Sequence, residues 1–154
     1  SSTAVANEAH SIAVANEASS TAVANKHSST AVANEAYSTA VANKHSSTAV
    51  ANEAHSIAVA NEASSTAVAN EASSIAVANN KNSIALLSNS KNSKVKAKIG
   101  SCIIIVERDD NDNIISVFST IVDGKKIKED IWYTLKNKKL IKINENRKSV
   151  GDAE

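Results

Sequence analysis

The feature that governs this chain is an asparagine that returns every nine residues, from Asn7 through Asn16, Asn25, Asn34, Asn43, Asn52, Asn61 and Asn70 to Asn79, without a slip. Around it the unit reads S-[TI]-A-V-A-N-x-x-x. Ten consecutive nonapeptides fill residues 2–91, the tenth (SIALLSNSK) being degenerate. A period this strict defines a quasi-one-dimensional architecture in which each unit touches chiefly its neighbours.

Rotation decides between helix and strand. Nine residues at about 100° each turn a helix by about two and a half turns, so successive A-V-A blocks would point to opposite sides and no apolar stripe forms. Ser, Thr, Val and Asn, which recur throughout, are also mediocre helix formers. S-[TI]-A-V-A instead alternates with period two, which sets two β-branched side chains on one face of a strand and small Ser and Ala on the other. The remaining N-x-x-x is a turn. With no proline and three glycines in the chain, asparagine is the residue expected to take left-handed backbone at the corner.

One nonapeptide is too short to encircle a core, whereas two give a flattened coil of eighteen residues with two strands and two corners. The expected fold is therefore all-β: a parallel β-solenoid of about five coils stacked about 4.8 Å apart, with residue i above residue i+18. Stacked corners would let the nine asparagines bond along the column as a ladder. The exchange of Thr for Ile at Ile12, Ile57, Ile75 and Ile84 favours a thin core of β-branched side chains with Ser and Ala on flat outer faces. The inverse, with Ala and Ser inside, stays open.

The strand S-[TI]-A-V-A-N resembles the S-V-A-I-G-type repeats in YadA-like heads of trimeric autotransporter adhesins, and similar repeats in phage tail-fibre proteins. The resemblance covers residues 2–91, although the unit here is nine residues and asparagine stands where glycine is usual. It implies a left-handed parallel β-roll assembled as a homotrimer. The segment CIIIVERDDNDNIISVFSTIVDGKKIKEDIWYTLKNKKLIKI is similar to C-terminal modules that follow Ala/Ser/Val-rich repeats in uncharacterised bacterial and phage-encoded proteins. It implies a repeat-plus-cap protein and carries no catalytic residue across.

Read directly, that segment gives an apolar strand at 102–108, a turn at 109–113 (DDNDN), a strand at 114–122, a reversal at Asp123-Gly124, and a last hairpin of IWYTL and LIKI around 136–139. The expected organisation is a solenoid over residues 1–91, a transition at 92–100, an antiparallel cap meander at 101–144 and a flexible tail at 145–154. The cap aromatics are expected to cover the open end of the solenoid and its unpaired strand edges.

Charge and composition exclude several functions. Residues 1–91 carry four Lys and six Glu, and residues 92–154 thirteen Lys/Arg and ten Asp/Glu, so neither half has the basic excess of a nucleic-acid footprint. No stretch approaches the about 20 apolar residues of a membrane span. Cys102, the single cysteine, excludes an internal disulfide and reads as a buried, inert thiol.

Candidate sites have plain structural readings beside them. His10, His27, His45 and His55 fall at corners, and His27 and His45, eighteen apart, would stack where two imidazoles can share a divalent metal; solvated corners explain them more simply. Glu17, Glu35, Glu53 and Glu71 would stack as like charges, and Glu8, Lys26, Lys44 and Glu62 as a mixed column. Asp109, Asp110 and Asp112 lack the glycine and terminal glutamate of a calcium loop and read as a hairpin turn.

No catalytic group, cofactor or metal site emerges. The leading expectation is a non-enzymatic structural module of a bacterial or phage surface fibre, extracellular or on a virion, that self-associates as a homotrimer or filament through flat small-residue faces. One alternative is ice binding by Thr columns (Thr3, Thr21, Thr39 and Thr30, Thr48, Thr66), which requires position two to point outward. Another is an adhesin whose cap binds a glycan or receptor, with Trp132 and Tyr133 as the ligand contacts.

Overall fold

The computed structural model describes residues 1–144, which form fifteen strands in two sheets and, among the described residues, no helix. The repeat supplies one strand per nonapeptide: Thr3–Ala6 (β1), Ile12–Ala15 (β2), Thr21–Ala24 (β3), Thr30–Ala33 (β4), Thr39–Ala42 (β5), Thr48–Ala51 (β6), Ile57–Ala60 (β7), Thr66–Ala69 (β8), Ile75–Ala78 (β9) and Ile84–Leu87 (β10). Lys94–Ala97 (β11), Cys102–Arg108 (β12), Ile114–Ile121 (β13), Trp132–Lys136 (β14) and Lys139–Ile143 (β15) follow.

Odd-numbered strands up to β11 stack in parallel in one sheet and even-numbered strands up to β12 in the other. Val5 lies opposite Val23 and Val32 opposite Val50, so two nonapeptides make one coil, as the repeat requires. Parallel stacking runs further than expected. β11 pairs in parallel with β9 and β12 with β10, which makes six coils and places solenoid strands in the 92–100 transition and at the start of the expected cap.

A local slip is absorbed on the way. Ser74 bonds to Ser93, nineteen residues on, because the corner before β11 holds one residue more. The next corner holds one fewer and closes at Gly100, with φ 85°, a left-handed geometry glycine takes without strain.

The favoured assignment of faces is overturned. Ala22, Ala24, Ala31, Ala33, Ala40 and Ala42 are fully buried and their counterparts continue to Ala76, while Thr and Val point outward. Two four-residue strands joined by short corners lie close enough for alanine methyls to fill the gap, and a β-branched layer would force the sheets apart. The core widens only towards the C-terminal end, where Leu87, Val95, Ile103 and Ile105 take alanine's place.

There the sheets finish with antiparallel strands. β13 pairs with β12, while β14 pairs with β11 and β15 with β14. Asn137 and Lys138, both left-handed (φ 51° and 62°), close the β14–β15 hairpin with the twist that two-residue loops favour. Val122, Ile127, Tyr133 and Leu135 are buried in this end, with Phe118 and Leu140 packed against them. The flexible tail expected at 145–154 lies outside the described residues.

Candidate functional site

The corners use asparagine differently from the expectation. Left-handed backbone falls on the ninth residue of each of the first nine units, at His10, Ser19, Ser28, Tyr37, Ser46, His55, Ser64, Ser73 and Asn82, with φ between 58° and 62°. The signal in the sequence is that no β-branched residue occupies that position, where it would be strained. The nine repeat asparagines, Asn7 to Asn79, keep ordinary backbone and use their amides. Asn25 donates to Asn7, Asn43 to Asn25, Asn61 to Asn43 and Asn79 to Asn61 along one edge. Asn34 donates to Asn16, Asn52 to Asn34 and Asn70 to Asn52 along the other, all at 2.7–2.9 Å. Each interior amide donates once and accepts once within its column, so the ladder runs in one direction.

A second ladder escaped sequence reasoning. The serine that opens each unit is buried from Ser20 to Ser83. The Ser47 N–H donates to Ser65 Oγ at 3.3 Å, and Ser65 Oγ donates to the Lys44 carbonyl at 2.9 Å. The same pair of bonds recurs at Ser83, which accepts from the Ser65 N–H and donates to the Glu62 carbonyl. These hydroxyls satisfy corner groups that fall outside the sheet ladders, where an unmet buried partner would cost about 1–3 kcal/mol. The invariance of serine at that position was the available signal.

The outer faces therefore carry Thr, Val and Ile instead of small residues. Thr3, Thr21 and Thr39 align in one sheet and Thr30, Thr48 and Thr66 in the other. Across β1 to β10 no outward side chain is charged, and every Lys and Glu of residues 1–91 sits at a corner.

At those corners the His27 and His45 rings lie 6.4 Å apart and tilted, while Tyr37 and His55 stack at 4.9 Å. Among the described residues no three His, Cys, Asp or Glu side chains converge on a point. Asp109 accepts from the Asn111 and Asn113 N–H groups at 2.9 Å each. The amides of Asn113 hold its carboxyl below the ordinary carboxylate range, the chemistry of a hairpin turn.

In the cap, Tyr133 is 5% exposed and its hydroxyl accepts from the Lys128 N–H at 2.9 Å. It closes the end of the core, its hydroxyl held by the main chain of the same cap. Trp132, its neighbour on the strand, points to the opposite side, where the Lys94 and Lys96 ammonium groups sit 4.4 and 4.6 Å from its ring; it covers no open end. Cys102 is half-buried on an outer face, not enclosed, and burial pushes its thiol pKa up against an opposing bond from Thr120.

Glu107 is the one buried charge among the described residues, and sequence reasoning missed it. Its carboxylate accepts the N–H of Asn137 at 2.6 Å and of Lys138 at 2.8 Å, which ties β12 to the hairpin in the other sheet. A cleft of about 520 Å³ opens beside it, lined in part by Lys91, Arg108, Asp110 and Lys136. Both Glu107 oxygens are already engaged by the turn, so the carboxylate acts as a brace.

These features define a β-solenoid structural module with asparagine ladders on both edges. No helix among the described residues is long and apolar enough to cross a membrane. Comparison with protein-family models, with curated proteins and with solved structures gave no match.

Proposed function

We propose that the chain is a non-enzymatic, rigid spacer of a bacterial or phage surface fibre, exposed on a cell surface or virion, that self-associates through the outer faces of its coils. The observation that carries this reading is the pair of flat, uncharged Thr/Val faces on opposite sides of the solenoid, with all repeat charges held at the corners. An uncharged sheet face bears a partner without burying an unpaired ion. Alanine methyls fill the coils from β3 to β9, and no cofactor enters the reading. Two opposite faces favour lateral stacking that stays open; the adhesin resemblance favours a closed trimer.

Light scattering of the full chain decides the matter. The reading expects an oligomer that the double substitution Val32→Lys/Val50→Lys disperses while the strand signal in circular dichroism persists. A monomer at the highest soluble concentration contradicts it.

A second reading has one specific observation in its favour: position two does point outward, so the Thr columns form the regular surface that ice binding needs. Thermal hysteresis that is present in the wild type and abolished by Thr48→Tyr would establish it. Freezing without hysteresis would remove it.

A further inference from the structure

The two strands that end the sheets at the capped end are treated differently. β15 (KLIKI) carries Lys139 and Lys142, the charges by which natural edge strands repel other chains. β13 (IISVFSTI), the longest of the described strands, carries no charge, proline or glycine, and β12 is its only strand neighbour among the described residues. Val117 and Ile121 on its outer face are 59% and 64% exposed.

The open edge has a definite hydrogen-bonding pattern. The Val122 N–H donates to the Ser101 carbonyl, and the Val122 carbonyl accepts from Gly100, so Val122 faces the β12 side. Main-chain groups alternate in direction along a strand. Thr120 and Phe118 therefore turn towards β12, and Ile121, Ser119 and Val117 aim their N–H and C=O groups at the open side.

The flanks are charged with opposite sign. Asp109, Asp110 and Asp112 precede β13, with Asp110 paired to Lys91 and Asp112 to Arg108 at the surface, and Lys125 and Lys126 follow it beyond Asp123; among the described residues neither of these two lysine ammonium groups forms an ion pair. An uncharged strand with an acidic start and a basic end is complementary to itself only when reversed.

We propose that β13 pairs edge to edge, antiparallel, with β13 of a second copy of this chain about a twofold axis at Ser119. Ser119 then meets Ser119 of the second copy, and Val117 meets Ile121, uncharged cross-strand pairs of the kind that stabilise sheets. The acidic turn of each copy comes beside the lysines of the other. The result is a tail-to-tail dimer in which one sheet runs through both molecules. This contact is separate from lateral association through the Thr/Val faces.

Sedimentation velocity of the full chain tests it. The Val32→Lys/Val50→Lys variant, freed of lateral association, is expected to remain a dimer that dissociates on dilution. Ser119→Pro removes an edge N–H without touching the β12 ladder and is expected to give a folded protein that has lost this contact. If that variant does not fold, Ser119→Lys, which sets like charges across the axis, takes its place. Lys125→Glu/Lys126→Glu is expected to raise the dissociation constant at least tenfold at low salt. A wild-type monomer overturns the proposal, and so does an unchanged dimer in a folded Ser119 variant or in the charge variant. An oligomer that Val32→Lys/Val50→Lys disperses but Ser119→Pro leaves intact overturns the edge pairing alone and leaves lateral association standing.

Discussion

The main-chain N–H of Ser38 donates to the side-chain oxygen of Ser56, one coil further on, at 3.3 Å, and Ser56 Oγ donates in turn to the Glu35 carbonyl at 3.3 Å. Both serines are fully buried. Ser56→Ala strands a buried N–H and a corner carbonyl together, and is expected to lower stability by about 1–3 kcal/mol. Urea unfolding measures this. A variant as stable as the wild type would show that the hydroxyl ladder is dispensable.

Side chains one residue apart should respond in opposite ways. Ala58 is fully buried and Val59 faces outward. Ala58→Val overfills a gap sized for methyls and is expected to cost about 1–3 kcal/mol. Val59→Ala on the outer face is expected to stay within about 0.5 kcal/mol. Thermal unfolding of the two variants reads the direction of each strand face, and the reverse ranking would place Thr and Val inside.

Glu107 braces the cap through a carboxylate that accepts two turn amides, at 2.6 and 2.8 Å. Glu107→Gln keeps the shape, loses the charge and turns an amide NH₂ towards one donor. The expected loss is about 1.5–3 kcal/mol, concentrated in the β14–β15 hairpin. Hydrogen exchange at Asn137 and Lys138 locates it; undiminished protection there would contradict the bracing role.

Acid should loosen the cap turns before the coils. The Asp109 carboxyl is held below its usual 3.8 by bonds from Asn113, and that of Asp123 by the N–H groups of Lys125 and Ile127. A carboxyl depressed in the folded state contributes stability that is present above its unfolded pKa and is lost as pH falls through the folded value. Amide protection at 109–113 and 123–127 is therefore expected to drop below about pH 4, while the coils of β3 to β9, bonded by serine hydroxyls and asparagine amides, keep theirs. Simultaneous loss in both regions would contradict this.

Coil length, strand positions and asparagine columns were legible because each follows from a period. A nine-residue repeat with one alternating half admits few other closures, and Val5 stands opposite Val23 for that reason. Which face lies inside was not fixed by alternation, since both faces alternate equally well. The Thr-for-Ile exchange at Ile57 and Ile75 reflects the tolerance of an exposed position, while the unvarying residues, Ala58 and Ser56, are the enclosed ones. Left-handed backbone fell on Ser64 instead of Asn61 because asparagine serves the ladder, a use that its turn propensity does not reveal. Glu107 was illegible for another reason: its partners lie thirty and thirty-one residues away and belong to the other sheet.

Distances between paired nitroxide labels test the coil itself most directly, in a Cys102→Ser background. Val41 and Val59 are neighbours on one face, in register across adjacent strands, whereas Val41 and Val50 belong to opposite sheets. The solenoid predicts that Val41→Cys/Val59→Cys gives the shorter separation, with backbones about 5 Å apart, and Val41→Cys/Val50→Cys the longer. A helical chain would reverse the order, with about 27 Å for the first pair and about 14 Å for the second, and that result would contradict the fold.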